Sequence, residues 1–126
     1  MKILLDTHIL LWWLSNSKQL PKPAYSIIEN PANTIFVSAA SLWEIALKQM
    51  LDRITVSFPD LQKAVEGSGF LPLPITFDHC GQIGILPLHH RDPFDRMLVA
   101  QSMIEPAILL THDKTLKLYG STVKVV

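Results

Sequence analysis

The strongest constraint on the fold is an alternation of short, continuously apolar runs with longer stretches of helical periodicity. Four of these runs have the length and composition of strands buried on both faces, namely 3–5, 35–37, 107–111 and 123–126. A fifth segment, 70–75, is either a strand weakened by two prolines or an extended link. Apolar strands that alternate with helices predict an α/β sandwich with a mostly parallel sheet.

Helical patterns fill the segments between these strands. The predicted helices span 7–14, 24–29, 40–51, 60–67, 77–85, 93–105 and 114–118. Asp92 followed by Pro93 and Asp95 is a strong helix start, because Asp caps a helix and proline suits its first turn. Gly120 is a natural C-cap for the last helix. Open sheets of this class bind ligands beyond the carboxyl ends of their strands, so residues that follow strands are candidate site residues.

Composition narrows the class of protein. We expect the 126 residues to form a single domain, residues 1–126. The net charge of zero gives no overall signal for nucleic acid or membrane, although a local basic patch can coexist with it. With Cys80 as the one cysteine, a disulfide framework is impossible, which predicts a cytoplasmic protein. Polar residues 6–8 interrupt the apolar N-terminus and argue against a secretory signal, and no run approaches a membrane span.

Two carboxylates directly follow predicted buried strands. Asp6 comes after the first strand, and Asp113 comes just after the strand that ends at Thr111. Both are therefore expected at the carboxyl edge of the sheet. Asp95 lies in the first turn of a helix on a half-buried face, and Glu44 lies in the middle of another helix.

Each of these acids also has a purely structural explanation. Asp6 and Asp113 can cap the helices that follow them, Asp95 can complement a helix dipole, and Glu44 can pair with Lys48 one turn later. Together, however, they would repel, since one pair at about 4 Å costs roughly 4 kcal/mol at an effective dielectric of 20. Protons or cations must neutralise such a cluster. Oxygen ligands favour Mg²⁺ or Mn²⁺, and a carboxylate-held ion of this kind suits phosphodiester hydrolysis.

Four stretches of the chain carry the acids discussed above, namely LLDTH at 4–8, SLWEIALK at 41–48, HRDPFDRMLVAQ at 90–101 and LLTHD at 109–113. In sequence and in order they resemble the PIN domain, and more closely the VapC-type toxins of bacterial toxin–antitoxin pairs. The resemblance implies a three-layer α/β/α sandwich. It also implies Mg²⁺- or Mn²⁺-dependent endoribonuclease activity on RNA, frequent homodimers, and inhibition by a cognate antitoxin.

The resemblance also assigns roles to residues, position by position. The catalytic acids are Asp6, Glu44, Asp95 and Asp113. Asp6 and Asp95 are expected to bind the metal, Asp113 to bind it directly or through water, and Glu44 to orient the attacking water or accept its proton. Residues that could support these acids or contact RNA are Thr7, Lys48, Arg91, Asp92, Arg96 and Thr111.

The supporting residues have distinct expected tasks. The hydroxyls of Thr7 and Thr111 could orient carboxylates or water, and Thr7 is equally explained as a plain helix residue. Arg91 and Arg96, together with His90, could contact RNA phosphates or could simply be solvated loop residues. Asp92 is assigned to the helix cap, with a peripheral role in the site left open, and Lys48 could face the cleft.

Two other function classes stay open on the residues themselves. An aspartyl-nucleophile phosphatase would use Asp6, but the sequence lacks a second acid two residues later. A non-catalytic, metal-binding regulatory module of the response-regulator kind would need paired acids near the first strand and a lysine after a late strand. This chain has Thr111, His112 and Asp113 at that late position instead.

The apolar character of the chain also predicts contact surfaces. Its mean hydropathy of +0.26 is high for a small monomer. We therefore expect a second subunit or an antitoxin helix to cover part of the first two helices. Trp12, Trp13 and Trp43 are flanked by apolar residues, which favours a core or interface role over base stacking.

Overall fold

The structure is a computed structural model that describes residues 1–51 and 57–126. Its strands are β1 (Lys2–Leu5), β2 (Thr34–Ser38), β3 (Leu71–Leu73), β4 (Ile108–Thr111) and β5 (Val123–Val125). Its helices are α1 (Thr7–Leu14), α2 (Lys22–Glu29), α3 (Ala39–Met50), α4 (Phe58–Gly67), α5 (Phe77–Ile83), α6 (Pro93–Ile104) and a 3₁₀ helix (Lys114–Tyr119). Within the described ranges, no helix combines the length and apolar character needed to cross a bilayer.

The five strands form one parallel sheet in the order β3-β2-β1-β4-β5. The chain places β2 and β3 on one side of β1 and then crosses to place β4 and β5 on the other side. The strand order therefore reverses between β1 and β4, and such a reversal opens the crevice in which α/β sheets bind ligands. The backbone N–H of Asp6 donates to the carbonyl of Leu110 at 3.1 Å and joins the ends of these two strands.

Helices cover both faces of the sheet, as the alternation of side chains along β1 requires. Ile3 and Leu5 belong to one core, with α1, α2 and α4, whereas Leu4 belongs to the other, with α6 and the 3₁₀ helix. All three side chains are at most 1% exposed, and burying each one is worth roughly 1.5–3 kcal/mol. The three-layer α/β/α sandwich implied by the sequence is confirmed.

Short polar and glycine signals fix where the elements begin and end. The hydroxyl of Ser38 accepts the backbone N–H of Ala40 at 2.9 Å and caps α3. The carboxylate of Asp92 accepts the backbone N–H groups of Phe94 and Asp95, which makes it the cap of α6. Gly120 ends the 3₁₀ helix with a φ of 112°, a backbone conformation that residues other than glycine rarely adopt.

Some element boundaries differ from those predicted. The helices predicted at 24–29 and 60–67 both begin two residues earlier, because Pro23 and Pro59 lie in their first turns, where a missing N–H costs nothing. The helix predicted at 77–85 ends at Ile83. The proline-containing fifth segment becomes the three-residue edge strand β3, and an edge position tolerates proline because one side of the strand is unpaired.

Candidate active site

The candidate acids come from four different elements to the carboxyl edge of the sheet. Asp6 joins β1 to α1, Asp113 follows β4, Asp95 lies in the first turn of α6, and Glu44 lies in the middle of α3. A cleft of about 300 Å³ opens there, and its lining comprises Asp6, His8, Trp12, Asp95, His112 and Asp113. The reversal of strand order thus brings three of the four acids into one cleft.

The carboxylate of Asp6 is fixed from two sides. One oxygen accepts the backbone N–H of Ile9 at 2.9 Å, so Asp6 does cap α1, and the other accepts the hydroxyl of Thr111 at 2.5 Å. Only 4% of the residue is exposed. Burial raises the pKa of Asp6 above its ordinary value, and the two hydrogen bonds oppose that rise.

Two threonines flank the strand-end acids but have different partners. The Thr111 hydroxyl donates to Asp6 and accepts the backbone N–H of Asp113 at 3.0 Å, so it connects the two acids. The Thr7 hydroxyl donates instead to the Ser41 hydroxyl at 3.0 Å, which ties α1 to α3. The buried Thr7 side chain therefore points towards the neighbouring helix α3 and not towards a carboxylate.

Repulsion between the acids contributes to the raised pKa of Asp95. Burial is the main cause that raises the pKa of Asp95 to about 7, and the negative charges of Asp92, Asp6 and Glu44 raise it further. His90 opposes the rise. This behaviour fits an acid cluster that a cation would stabilise.

Glu44 and Lys48 form the i,i+4 pair that their spacing allows. Their side chains lie 3.1 Å apart, and Glu44 is 9% exposed. The Lys48 ammonium is therefore engaged with Glu44, and this pairing limits its availability to a ligand in the cleft. Glu44 does not line the cleft, but its charge raises the pKa of both Asp6 and Asp95, so it belongs to the same electrostatic cluster.

His90 lies closer to the acids than its sequence position suggests. Its Nε2 is 2.9 Å from one oxygen of Asp113 and 3.5 Å from an oxygen of Asp95. The other oxygen of Asp113 accepts the backbone N–H of Thr115 at 2.9 Å. His90, Asp95 and Asp113 offer ligand atoms within 4.8 Å of one another. The sequence suggested His90 only as an RNA contact or a solvated residue, because loop conformation carries no periodic signal.

Arg96 is held by several hydrogen bonds. Its guanidinium donates to the hydroxyl of Tyr119 at 3.1 Å and to four main-chain carbonyls, one at the end of α5 and three in the loop that follows. Those carbonyls belong to Ile83, Leu86, Pro87 and His90. Arg96 therefore holds the loop between α5 and α6 rather than presenting a free cation to a phosphate. Arg91, in contrast, is exposed on that loop.

The tryptophans divide between core and surface. Trp12 and Trp13 are partly buried against the core that includes α1 and α2. Trp12 also lines the cleft, where its ring lies edge-on to that of His112 at 5.6 Å. Trp43 is 58% exposed and packs edge-on against Phe94 at 4.9 Å.

The donor set of the cleft fits a hard divalent cation. Asp6, Asp95 and Asp113 supply carboxylate oxygens, which are the donors that Mg²⁺ and Mn²⁺ prefer. Each carboxylate oxygen has two lone pairs, so the hydrogen bonds to Asp6 leave room for a cation. The raised pKa of Asp95 agrees with this assignment, since a bound cation would relieve the repulsion that causes part of the rise.

Comparisons with known proteins place this chain in a family. Residues 3–120 match the model of the PIN domain. Ribonuclease VapC22 of Mycobacterium tuberculosis is 27% identical to this chain in an alignment that covers 91% of this chain and 89% of that protein.

Two solved structures share the fold. VapBC2 from Rickettsia felis, bound to a DNA fragment from its promoter, superimposes with a TM-score of 0.69 at 17% identity, covering 100% of this chain and 98% of that one. FitAcB from Neisseria gonorrhoeae gives a TM-score of 0.63 at 16% identity and covers 96% of this chain and 95% of that one. Since the family match spans almost the whole chain and agrees with the fold and with the motifs, the protein belongs to the PIN domain family.

Proposed function

We propose that this protein is a divalent-metal-dependent endoribonuclease that acts as a VapC-type toxin and is inhibited by a cognate antitoxin. The observation that carries the proposal is the meeting of Asp6, Asp95 and Asp113 in one cleft, at the reversal of strand order in a PIN fold. A relative named as a ribonuclease and a structural relative that is a VapBC assembly support the same activity and partner.

In this proposal, Asp6 and Asp95 would hold Mg²⁺ or Mn²⁺, and Asp113 would hold it directly or through water. Such a cation supplies binding of the scissile phosphate, a more acidic water and stabilisation of the leaving oxygen. Thr111 keeps Asp6 in place through a hydrogen bond that burial strengthens. Glu44, oriented by Lys48, would position the attacking water or accept its proton.

RNA would approach across the open side of the cleft. Arg91 is exposed on the loop before α6 and can contact phosphate, whereas Arg96 is engaged with the loop itself. His8 and His112 line the cleft beside Asp6, and their exposed rings can contact the backbone or the bases. Because few cations among the described residues face the cleft, we expect modest affinity for RNA and a shallow dependence on salt.

An apolar groove supports the proposed antitoxin partner. It has a volume of about 270 Å³ and runs between α1, α3 and α4. Its apolar lining comprises Leu11, Leu14, Ile45, Leu61 and Ala64. An amphipathic helix is the kind of segment that fits such a groove. We also propose a homodimer, because the exposed side chains of Trp43, Met50 and Leu51 leave apolar area along and after α3. We expect the single domain to act in the cytoplasm.

The two alternative functions have less support than the ribonuclease. The residues alone left an aspartyl-nucleophile phosphatase and a receiver-like regulatory module open, but the family match of this chain is to the PIN domain. They remain useful as outcomes of an experiment. A covalent phosphate trapped on Asp6 would favour the phosphatase, and metal binding without cleavage of any RNA would favour the regulatory module.

The proposal is tested by induced expression in bacterial cells. Wild type is expected to arrest growth and fragment RNA, whereas Asp6→Asn is expected to do neither at equal protein level. Asp78→Asn is the matched control, because Asp78 is exposed on α5 and does not line the cleft. Co-expression of the protein encoded beside this gene should restore growth. Equal toxicity of wild type and Asp6→Asn would refute the assignment.

A further inference from the structure

The imidazole of His90 lies between two of the proposed metal ligands. Its Nε2 is 2.9 Å from Asp113 and 3.5 Å from Asp95. A ring at this position can bind the cation itself, contact RNA, or hold a carboxylate in place. The contacts of its other nitrogen distinguish among these roles.

The hydrogen bond at Nδ1 determines which nitrogen carries the proton. Nδ1 of His90 accepts the backbone N–H of Asp92 at 3.1 Å. A ring nitrogen that accepts a hydrogen bond has no proton, so the single proton of the neutral ring lies on Nε2. Nε2 is therefore a donor without a free lone pair, and it donates to the nearer carboxylate, that of Asp113. In this arrangement Nε2 cannot ligate a metal.

The main chain of His90 is anchored independently of its ring. Its N–H donates to the hydroxyl of Tyr119 at 3.0 Å, and its carbonyl accepts from Arg96 at 3.4 Å. Arg96 and Tyr119 both bond the carbonyl of Pro87 as well, each at 2.9 Å. The loop therefore presents the ring from a fixed backbone, and a change of side chain leaves these anchors in place.

We infer that His90 is a positioning residue, which donates from Nε2 to Asp113 and keeps that carboxylate turned towards Asp95. The inference rests on the proposed function, because it assigns His90 to the same metal site. Asp113 needs such a partner: its side chain is 38% exposed, and among the described residues it is otherwise held through a single hydrogen bond from Thr115. A neutral donor orients the carboxylate without adding a positive charge that would repel the cation.

Two substitutions separate the contacts of the ring. In His90→Asn, the side-chain oxygen can occupy the place of Nδ1 and accept the N–H of Asp92. The shorter side chain has no donor that reaches Asp113. In His90→Gln, the longer amide can place its N–H near the position of Nε2 and donate to Asp113. His89→Asn is the matched control, because the His89 ring is exposed and packs on Tyr119 at 5.1 Å, whereas the ring at Asp95 and Asp113 is that of His90.

The experiment measures Mn²⁺ affinity by calorimetry on the full protein without RNA, after thermal melting has shown that each variant is folded. Loss of a partner of a metal ligand typically weakens binding about 10–100-fold, and we expect that loss for His90→Asn. His90→Gln should recover most of the affinity, and His89→Asn should match wild type. Activity is not needed for this measurement.

The other outcomes overturn the inference in distinct ways. If His90→Asn binds Mn²⁺ with the affinity of wild type, His90 has no role at the metal site. If the variant also binds RNA more weakly, His90 is an RNA contact instead. Equal weakening in the Asn and Gln variants would mean that the imidazole itself binds the ion. Absence of Mn²⁺ binding in wild type would overturn the proposed function together with this inference.

Discussion

Substituting Asp95 by Asn should stabilise the metal-free protein. The change keeps the size of the side chain and the backbone N–H that Asp92 accepts, but it removes a charge from a site that burial and neighbouring acids make unfavourable. The pKa of Asp95 rises from 3.8 to about 7 on folding, and its side chain is 23% exposed. Since a tenfold change in proton affinity equals about 1.4 kcal/mol, this rise corresponds to about 4 kcal/mol of the free energy of unfolding.

The sign of the effect depends on pH. A carboxyl with a raised folded-state pKa binds its proton more tightly in the folded protein, so its cost to stability is absent below about pH 3.8. The cost grows as the pH rises towards 7 and is complete above that value. The stability difference between Asp95→Asn and wild type should therefore widen between pH 4 and pH 7 and then level off.

Urea unfolding in EDTA over this pH range measures the difference directly. Asp78→Asn on the exposed start of α5 is the control, and its stability should follow that of wild type at every pH. Adding Mg²⁺ should then narrow the gap at neutral pH, because the ion stabilises the protein that binds it. A difference that stays constant across the pH range would refute the electrostatic account of the cluster.

The remaining predictions concern the residues around the acids. Thr111→Val should destabilise the protein by about 1–3 kcal/mol in thermal or urea unfolding, because it removes one of the two donors to the buried Asp6 carboxylate. Thr111→Ser keeps the hydroxyl and should lose much less stability. Arg91→Gln should weaken RNA binding and reduce the slope of log affinity against log salt by about 1, whereas Arg96→Gln should lower stability and leave that slope unchanged. A reduced slope of log RNA affinity against log salt in Arg96→Gln would contradict the structural role given to Arg96.

The layers of the fold were predictable because their signals are local. The apolar run Ile3–Leu5 is too short for a helix and lacks polar alternation, and it forms the central strand. Asp92 and Pro93 mark the start of α6 as expected. The placement of acids after strands also follows from sequence, since parallel strands share one carboxyl edge.

Other features depended on tertiary contacts that leave no local signal. The partners of Arg96 are carbonyls of an irregular loop, so the sequence could not show that its guanidinium is already engaged. The ring of His90 reaches the acids for the same reason, because the fixed loop carries it there. The sequence predicts that two helices begin after Pro23 and Pro59, whereas both helices include their proline, which is favourable in the first turn of a helix.

The most direct test of the central claim is RNA cleavage by purified protein as a function of divalent ion. Wild type and Asp78→Asn should cleave a single-stranded RNA with Mg²⁺ or Mn²⁺, and EDTA should stop the reaction. Asp6→Asn should stay folded, with metal-free stability no lower than that of wild type, and should not cleave at any ion concentration. Metal-dependent cleavage by a folded Asp6→Asn protein would contradict the account.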